Sequence, residues 1–260
     1  VLTGYKAAIK DACDIIVKID GDGQMDPAMI PRIVQPIIDG QADYVKGNRF
    51  YYLSNVTTMP LARLVGNAGL SFLTKISSGY WNLFDPTCGY TAIHTVVAGM
   101  LPRRRLHKRF FFESDVLYHL SLLRAAITEV PAEVRYGDEQ SNLSVMKSLF
   151  TFPALHAKNF LKRLVYNYFV RNFSAASLDL ALGLLLCSFS IVFGLAKLIY
   201  NAHHALHMKP GTVMVLAVLT IIGFQLLLGF LNFDISDVPK TAIHRKLPQL
   251  QPSTISEEDS

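Results

Sequence analysis

Cysteine is scarce in this 260-residue chain: Cys13, Cys88 and Cys187 are the only three, and no two stand at framework or zinc-motif spacing. A disulfide scaffold is excluded, and a reducing compartment is the simplest expectation. Charge is also thin, with Asp, Glu, Lys and Arg at 17% against 51% hydrophobic residues. At a mean hydropathy of +0.29 the chain is too apolar for an ordinary soluble protein. The shortage is local. Between Leu178 and Tyr200 only Asp179 and Lys197 are charged, and between Thr212 and Phe233 no residue is. Each run has roughly 20 residues or slightly more, the length with which a helix crosses a hydrocarbon core, so two transmembrane helices are expected.

The basic residues that are present flank these runs. Lys158, Lys162, Arg163 and Arg171 precede the first and Lys240, Arg245 and Lys246 follow the second, whereas the connection from Asn201 to Gly211 holds only Lys209. By the excess of positive charge on the cytoplasmic side, the domain ahead of the spans and both termini are expected in the cytoplasm. A net charge of +5 and a pI near 9.1 raise the question of nucleic acid. The basic residues cluster beside the apolar runs, where anionic headgroups explain them better, so membrane lipid is the expected partner and nucleic acid is not. His203, His204 and His207 lack further ligands nearby and read as a solvated loop. From Leu155 to Phe173, Phe160, Leu161, Leu164, Val165, Tyr168 and Phe169 recur at helical spacing opposite Lys and Arg, which predicts a helix lying in the membrane interface.

Ahead of the membrane part, the run Ile15-Ile16-Val17-Lys18-Ile19-Asp20-Gly21-Asp22-Gly23-Gln24-Met25-Asp26-Pro27 delivers two carboxylates from an apolar strand into a glycine-containing loop. Oxygen ligands so placed suit a divalent metal, and Gln24 adds a neutral oxygen. A calcium loop is excluded: Met25 stands at the sixth position, where glycine is needed, and Pro31 at the twelfth, where a bidentate glutamate belongs. Asp26-Pro27 reads as a cap and helix start closing the loop. A helix over Met29–Ile38 and a strand over Tyr44–Lys46 follow, giving a β-loop-α-β order and an α/β fold. Gly47-Asn48-Arg49-Phe50 places a guanidinium just past a strand, and a helical pattern from Pro60 to Ser78 carries Arg63. Asp85-Pro86-Thr87-Cys88-Gly89-Tyr90 is a turn into a short strand. The run Arg103–Arg109 leads into Phe112-Glu113-Ser114-Asp115, two carboxylates at a helix entrance, and Ile127–Tyr136 reads as a last strand with Arg135 at its end.

Taken in order, D-G-D-G-Q-M-D-P, G-N-R-F, D-P-T-C-G-Y, F-F-E-S-D and V-R-Y-G-D-E-Q-S-N-L ahead of two apolar spans resemble family 2 glycosyltransferases, in particular the polyprenyl-phosphate branch. The resemblance implies a GT-A type mixed sheet over residues 1–150, an interfacial helix over 151–174, a transmembrane hairpin over 175–235 and an unstructured cytoplasmic tail over 236–260. It implies inverting, metal-dependent transfer from a UDP- or GDP-linked sugar to a dolichyl or undecaprenyl phosphate, in a bacterial plasma membrane, and is compatible with a homo-oligomer. Asp20, Asp22 and Gln24 match the family's metal positions for Mg²⁺ or Mn²⁺. Arg49, Arg63 and Arg135 look like its phosphate-contacting arginines. Asp85, Glu113 and Asp115 match its acidic positions near sugar and acceptor. The family's first strand and helix, with the acidic residue that reads the base, have no counterpart, so the resemblance implies a fragment of a longer enzyme.

Two rival readings stand beside it. A membrane-anchored polysaccharide synthase would carry a Q-x-x-R-W stretch, but the single tryptophan lies in Gly79-Tyr80-Trp81-Asn82. An inactive membrane-bound fragment serving as a binding or scaffold module would need no metal-dependent affinity.

Overall fold

The computed structural model describes residues 1–21, 23–51, 61–107, 111–132 and 145–247, without the side chains of 62, 63 and 145–150. In chain order the elements are α1 (Leu2–Lys10), β1 (Ile15–Lys18), α2 (Ile30–Ile38), β2 (Tyr44–Asn48), α3 (Leu61–Ser78), β3 (Thr91–His94), α4 (Thr95–Met100), α5 (Phe112–Leu123), β4 (Ile127–Pro131), α6 (Val145–Val165), α7 (Ala175–His203) and α8 (Pro210–Ser236). The four strands form one mixed sheet in the order β1-β3-β2-β4. β3 runs antiparallel to both neighbours and β2 parallel to β4. β1, β2 and β4 therefore bring their carboxyl ends to one edge, where β3 begins. This is the expected α/β architecture, consistent with a GT-A domain followed by two long apolar helices.

Alternation along the strands divides the core between the two faces. Ile16, Ile93, Tyr44 and Ile127 lie in one register row and join Val97, Val116, Leu117 and Leu120 of α4 and α5 in one cluster. The residues between them face the other way, so Val45 and Ala92 pack with Ile33 and Ile37 of α2. Asp26 accepts from the Ala28 amide at 2.8 Å, and Pro27 opens a 3₁₀ turn leading into α2, the cap read from the sequence.

The expectation of an unstructured tail over 236–260 does not hold for residues 238–247. Residue 236 still belongs to α8, and Val238 and Ile243 pack against the first core cluster. The anchor is Asp43, fully buried just before β2. Its carboxylate accepts from the Ile243 and His244 amides at 2.9 Å, from His244 Nδ1 at 2.8 Å and from the Ala126 amide at 2.8 Å. Such a buried carboxylate needs these donors, because an unpaired charge in the interior is strongly unfavourable. His244 also stacks on His94 at 4.3 Å, and the Arg245 guanidinium caps the carbonyl of Asp39 above Gly40. Gly40 has φ +66° and no Cβ to obstruct that side chain.

The chain divides into two compact units, Val1–Arg163 together with the segment from Val238, and Leu164–Asp237. In the second, α7 and α8 are each long and apolar enough to cross a membrane. They approach closely at Gly183 and Gly223: a Cβ on the first would meet Leu227 at 2.9 Å, and one on the second Cys187 Sγ at 2.8 Å. Small residues at such crossings let helix backbones pack where no hydrophobic drive between them exists. A π-helical turn, Tyr166–Arg171, precedes α7, and Tyr168 donates its hydroxyl to Asp234 at 2.6 Å.

α6 buries an unusual number of polar side chains. Polar residues His156, Asn159 and Arg163, spaced by one and two turns, are buried along with Leu164, whereas apolar Leu161 and Val165 are exposed. Asn159 donates to Asp115 at 3.0 Å and Arg163 to the Ile76 carbonyl at 2.9 Å. His156 Nδ1 lies 2.8 Å from Ser77 Oγ, and burial lowers its pKa from the usual 6.5 to about 4. The folded state thus holds His156 neutral where the unfolded chain takes up a proton, so stability is full above pH 6.5 and falls as pH drops toward 4. Thermal unfolding in detergent should show a loss of about 2 kcal/mol between pH 7 and pH 5, removed by His156→Leu. A pH slope identical in the two proteins would contradict this account.

Candidate active site

The carboxyl edge of the sheet collects most of the residues singled out from the sequence. The loop leaving β1 carries Asp20, whose side chain is 44% exposed. Asp22 lies outside the described residues, and Gln24 is half-buried just beyond. Asp20 is not alone: Lys18 donates to its Oδ1 at 2.9 Å and to Glu113 Oε1 at 2.7 Å. Burial opposes the charge on Lys18, but the Glu113 and Asp20 carboxylates prevail and raise its pKa. The lysine is protonated throughout the physiological range. Asp20 Oδ2 sits against Gly89, where a Cβ would overlap it, so a larger residue there would displace the Asp20 carboxylate.

Arg49 and Asp85, assigned separately from the sequence, are partners. Arg49 Nε and Nη2 donate to the two Asp85 oxygens at 2.7 and 2.9 Å, and its own amide adds a third bond at 3.1 Å. Thr87 Oγ1 donates to Asp85 at 3.1 Å and accepts from Arg49 at 2.9 Å. Asp85 is fully buried, with both oxygens engaged. It holds a guanidinium fork in a fixed plane. The Arg49 side chain keeps 13% exposure. Glu129 on β4 supports the same turn, accepting from the Phe84 and Asp85 amides at 2.8 and 2.7 Å and from Asn48 at 2.9 Å. Burial raises its pKa foremost, Asp85 adds to the rise, and the two amides oppose it.

Glu113 and Asp115 are held by different partners. Two positions apart on a helix, they point to different sides. Glu113 turns to Lys18, while Asp115 accepts from the His107 amide at 2.7 Å and from Asn159 of α6. Asp115 is buried and tethers two segments. The position of Arg63 on α3 is described, its side chain is not, and Arg135 lies outside the described residues.

Sequence reasoning missed Lys18, Lys46 and Glu129. Lys46 is fully buried on β2, donating to the Cys88 carbonyl at 2.7 Å, and burial lowers its pKa. The available signal was a lysine inside each of two apolar strands, a residue type seldom fully buried without a partner. Cys88, buried beneath the turn, has its thiol pushed up to about 11 and is no nucleophile at neutral pH. Phe50 and Phe84, chain neighbours of Arg49 and Asp85, line a groove of about 230 Å³ with Leu64, Ala68, Phe72 and Lys75 of α3.

Among the described residues no three His, Cys, Asp or Glu side chains converge as a metal cluster. The donor chemistry of the β1 loop nevertheless fits a hard divalent cation: a part-exposed carboxylate at the strand end, followed by an amide side chain.

Residues 1–99 match the model of Glycosyl transferase family 2. Over these residues the chain is similar to family 2 glycosyltransferases. The β1 loop, Arg49, Asp85 and the turn into β3 all fall within the matched residues. The chain is 35% identical over 137 residues to a UDP-N-acetylglucosamine–dolichyl-phosphate N-acetylglucosaminyltransferase of Methanococcus voltae, covering 53% of the chain and 54% of that protein. It is 26% identical over 131 residues to an undecaprenyl-phosphate mannosyltransferase of Micrococcus luteus, covering 50% of the chain and 53% of that protein. The chain thus spans about half the length of the curated relatives it matches.

Proposed function

We propose that the chain is part of a membrane glycosyltransferase that moves a sugar from a nucleotide-sugar donor to a polyprenyl phosphate, with inversion and with a divalent cation. The observation that carries this is the carboxyl edge of the sheet. In a family 2 domain it gathers the Asp20 loop, the Arg49–Asp85 fork and Glu113, within a chain that also holds two long apolar helices. The relatives' names share a polyprenyl-phosphate acceptor and differ in sugar, so the acceptor class is the firmer part of the reading.

Asp20, Asp22 and Gln24 would hold Mg²⁺ or Mn²⁺, which when bound supplies positive charge to a diphosphate leaving group. Arg49, fixed by Asp85, would meet phosphate oxygens through its positive charge, as would Arg63 and Arg135. An acceptor phosphate is anionic at neutral pH and attacks without a strong base. Glu113, tied to Lys18, therefore orients rather than abstracts a proton. The apolar groove beside Arg49 suits an isoprenoid next to a charged head. Radiolabelled UDP-N-acetylglucosamine and GDP-mannose, supplied with dolichyl or undecaprenyl phosphate to membranes containing the full-length protein, test the reading. Metal-dependent appearance of label in the lipid phase is expected, and its absence with every donor and acceptor would exclude it.

The chain leaves the first unit at Arg163 and rejoins it at Val238, so a spanning hairpin puts that unit on one side of the membrane. The basic flanks make that side the cytoplasm. In a Cys13→Ser background, Lys10→Cys should stay unlabelled by an impermeant maleimide on intact cells while Ala205→Cys is labelled. The reverse pattern would overturn this topology.

A further inference from the structure

Lys18 and Lys46 face each other across one residue. Both pair in register with Thr91, Lys18 from β1 and Lys46 from β2, and Lys46 pairs onward with Glu129 of β4. Residues opposed across neighbouring strands share a face. This polar row thus lies on the same face as the row Ile16, Ile93, Tyr44 and Ile127, displaced two residues along the strands to the carboxyl edge. It stands where another core layer would otherwise lie. An apolar layer of the same volume is as stable as buried ion pairs or more so, which makes stability a poor reason for the row.

The two lysines hold consecutive carbonyls of the turn before β3. Lys46 donates to Cys88 O at 2.7 Å and Lys18 to Gly89 O at 3.2 Å. Lys18 then spends its other two donors on Asp20 and Glu113. An ammonium has three N–H donors, and here three acceptors from three segments use them all. Gly89 is also the residue whose missing Cβ leaves space for Asp20 Oδ2.

We propose that Lys18 is a positioning residue of the sugar transfer, its saturated ammonium locking the first carboxylate of the β1 loop against the turn before β3 and the first turn of α5. The inference rests on the transferase reading above. It has a signature that a merely structural lysine lacks. Without the ammonium, Asp20 and Glu113 are neighbouring carboxylates with no shared cation, so a divalent ion is attracted more strongly while the geometry of Asp20 relaxes. Metal affinity and turnover should move in opposite directions.

The test uses the full-length protein in membranes or detergent, with Mn²⁺ binding followed by electron paramagnetic resonance alongside kcat and donor KM. Lys18→Met should bind Mn²⁺ about tenfold more tightly than wild type, with kcat lowered about 100-fold and KM within about threefold. Lys18→Arg, which restores the charge, should recover about a tenth of wild-type kcat and return Mn²⁺ affinity toward the wild-type value. If Lys18→Met does not accumulate, Lys18→Gln, uncharged but retaining donors, carries the same expectation. Unchanged affinity, parallel loss of affinity and turnover, or a wild type that binds no Mn²⁺ overturns the inference. Normal transfer by both wild type and Lys18→Met leaves the transferase reading standing and removes the role of Lys18. Tighter Mn²⁺ binding by Lys18→Met in a protein whose wild type transfers no sugar supports the lock and refutes the reaction.

Discussion

Asp22→Asn in the full-length protein is expected to slow sugar transfer by about two orders of magnitude or more at saturating donor, with membrane yield unchanged. The substitution keeps the side chain's size and most of its hydrogen bonding and removes one negative charge. Asp20 already shares its Oδ1 with Lys18, so part of its charge is neutralised within the protein. At the proposed cation site, Asp22 would then carry the larger share of the charge. Asp20→Asn should behave differently, lowering thermal stability as well as rate, because it breaks an ion pair on Lys18. The check is label transfer to polyprenyl phosphate across a Mn²⁺ titration, normalised to folded protein. Normal specific activity in Asp22→Asn throughout that titration would remove the metal site from the proposal.

The second large effect is on stability. Asp85→Ala should destabilise the first unit by about 3–5 kcal/mol, because it strands a nearly buried guanidinium and leaves the Arg49 amide without its acceptor. Asp85→Asn retains an acceptor and should cost about half as much. Adding Arg49→Met to Asp85→Ala removes the unpaired charge and should recover a substantial part of the loss, the coupling expected of residues in direct contact. Denaturant unfolding in detergent with a tryptophan probe at Trp81 reads these differences. A change below about 1 kcal/mol for Asp85→Ala would show that the fork is not holding the turn.

Much of the architecture was legible in the chain. The apolar run before Asp20, the Asp26-Pro27 cap and the two charge-poor stretches each became the expected element, since strand alternation, capping and membrane-length hydrophobicity are local properties. The site was legible only as residue types. That Arg49 and Asp85 are each other's partner, that Asp115 serves α6 and that Glu113 serves Lys18 depends on which ends of which strands meet. Sequence separations of 36, 44 and 95 residues for these contacts carry no local trace.

The tail shows the same division from the other side. It was expected to be unstructured over 236–260, yet residues 238–247 are held by a carboxylate about 200 positions earlier, while 248–260 lie outside the described residues. The α/β domain, the β1 loop with its two carboxylates and the two helices long enough to span a bilayer each follow from the periodicity and composition of a short segment. Which charges pair with one another depends on the tertiary contacts that bring distant segments together. Burial removes water from these side chains, and a charge so placed must take the partner the fold brings within reach.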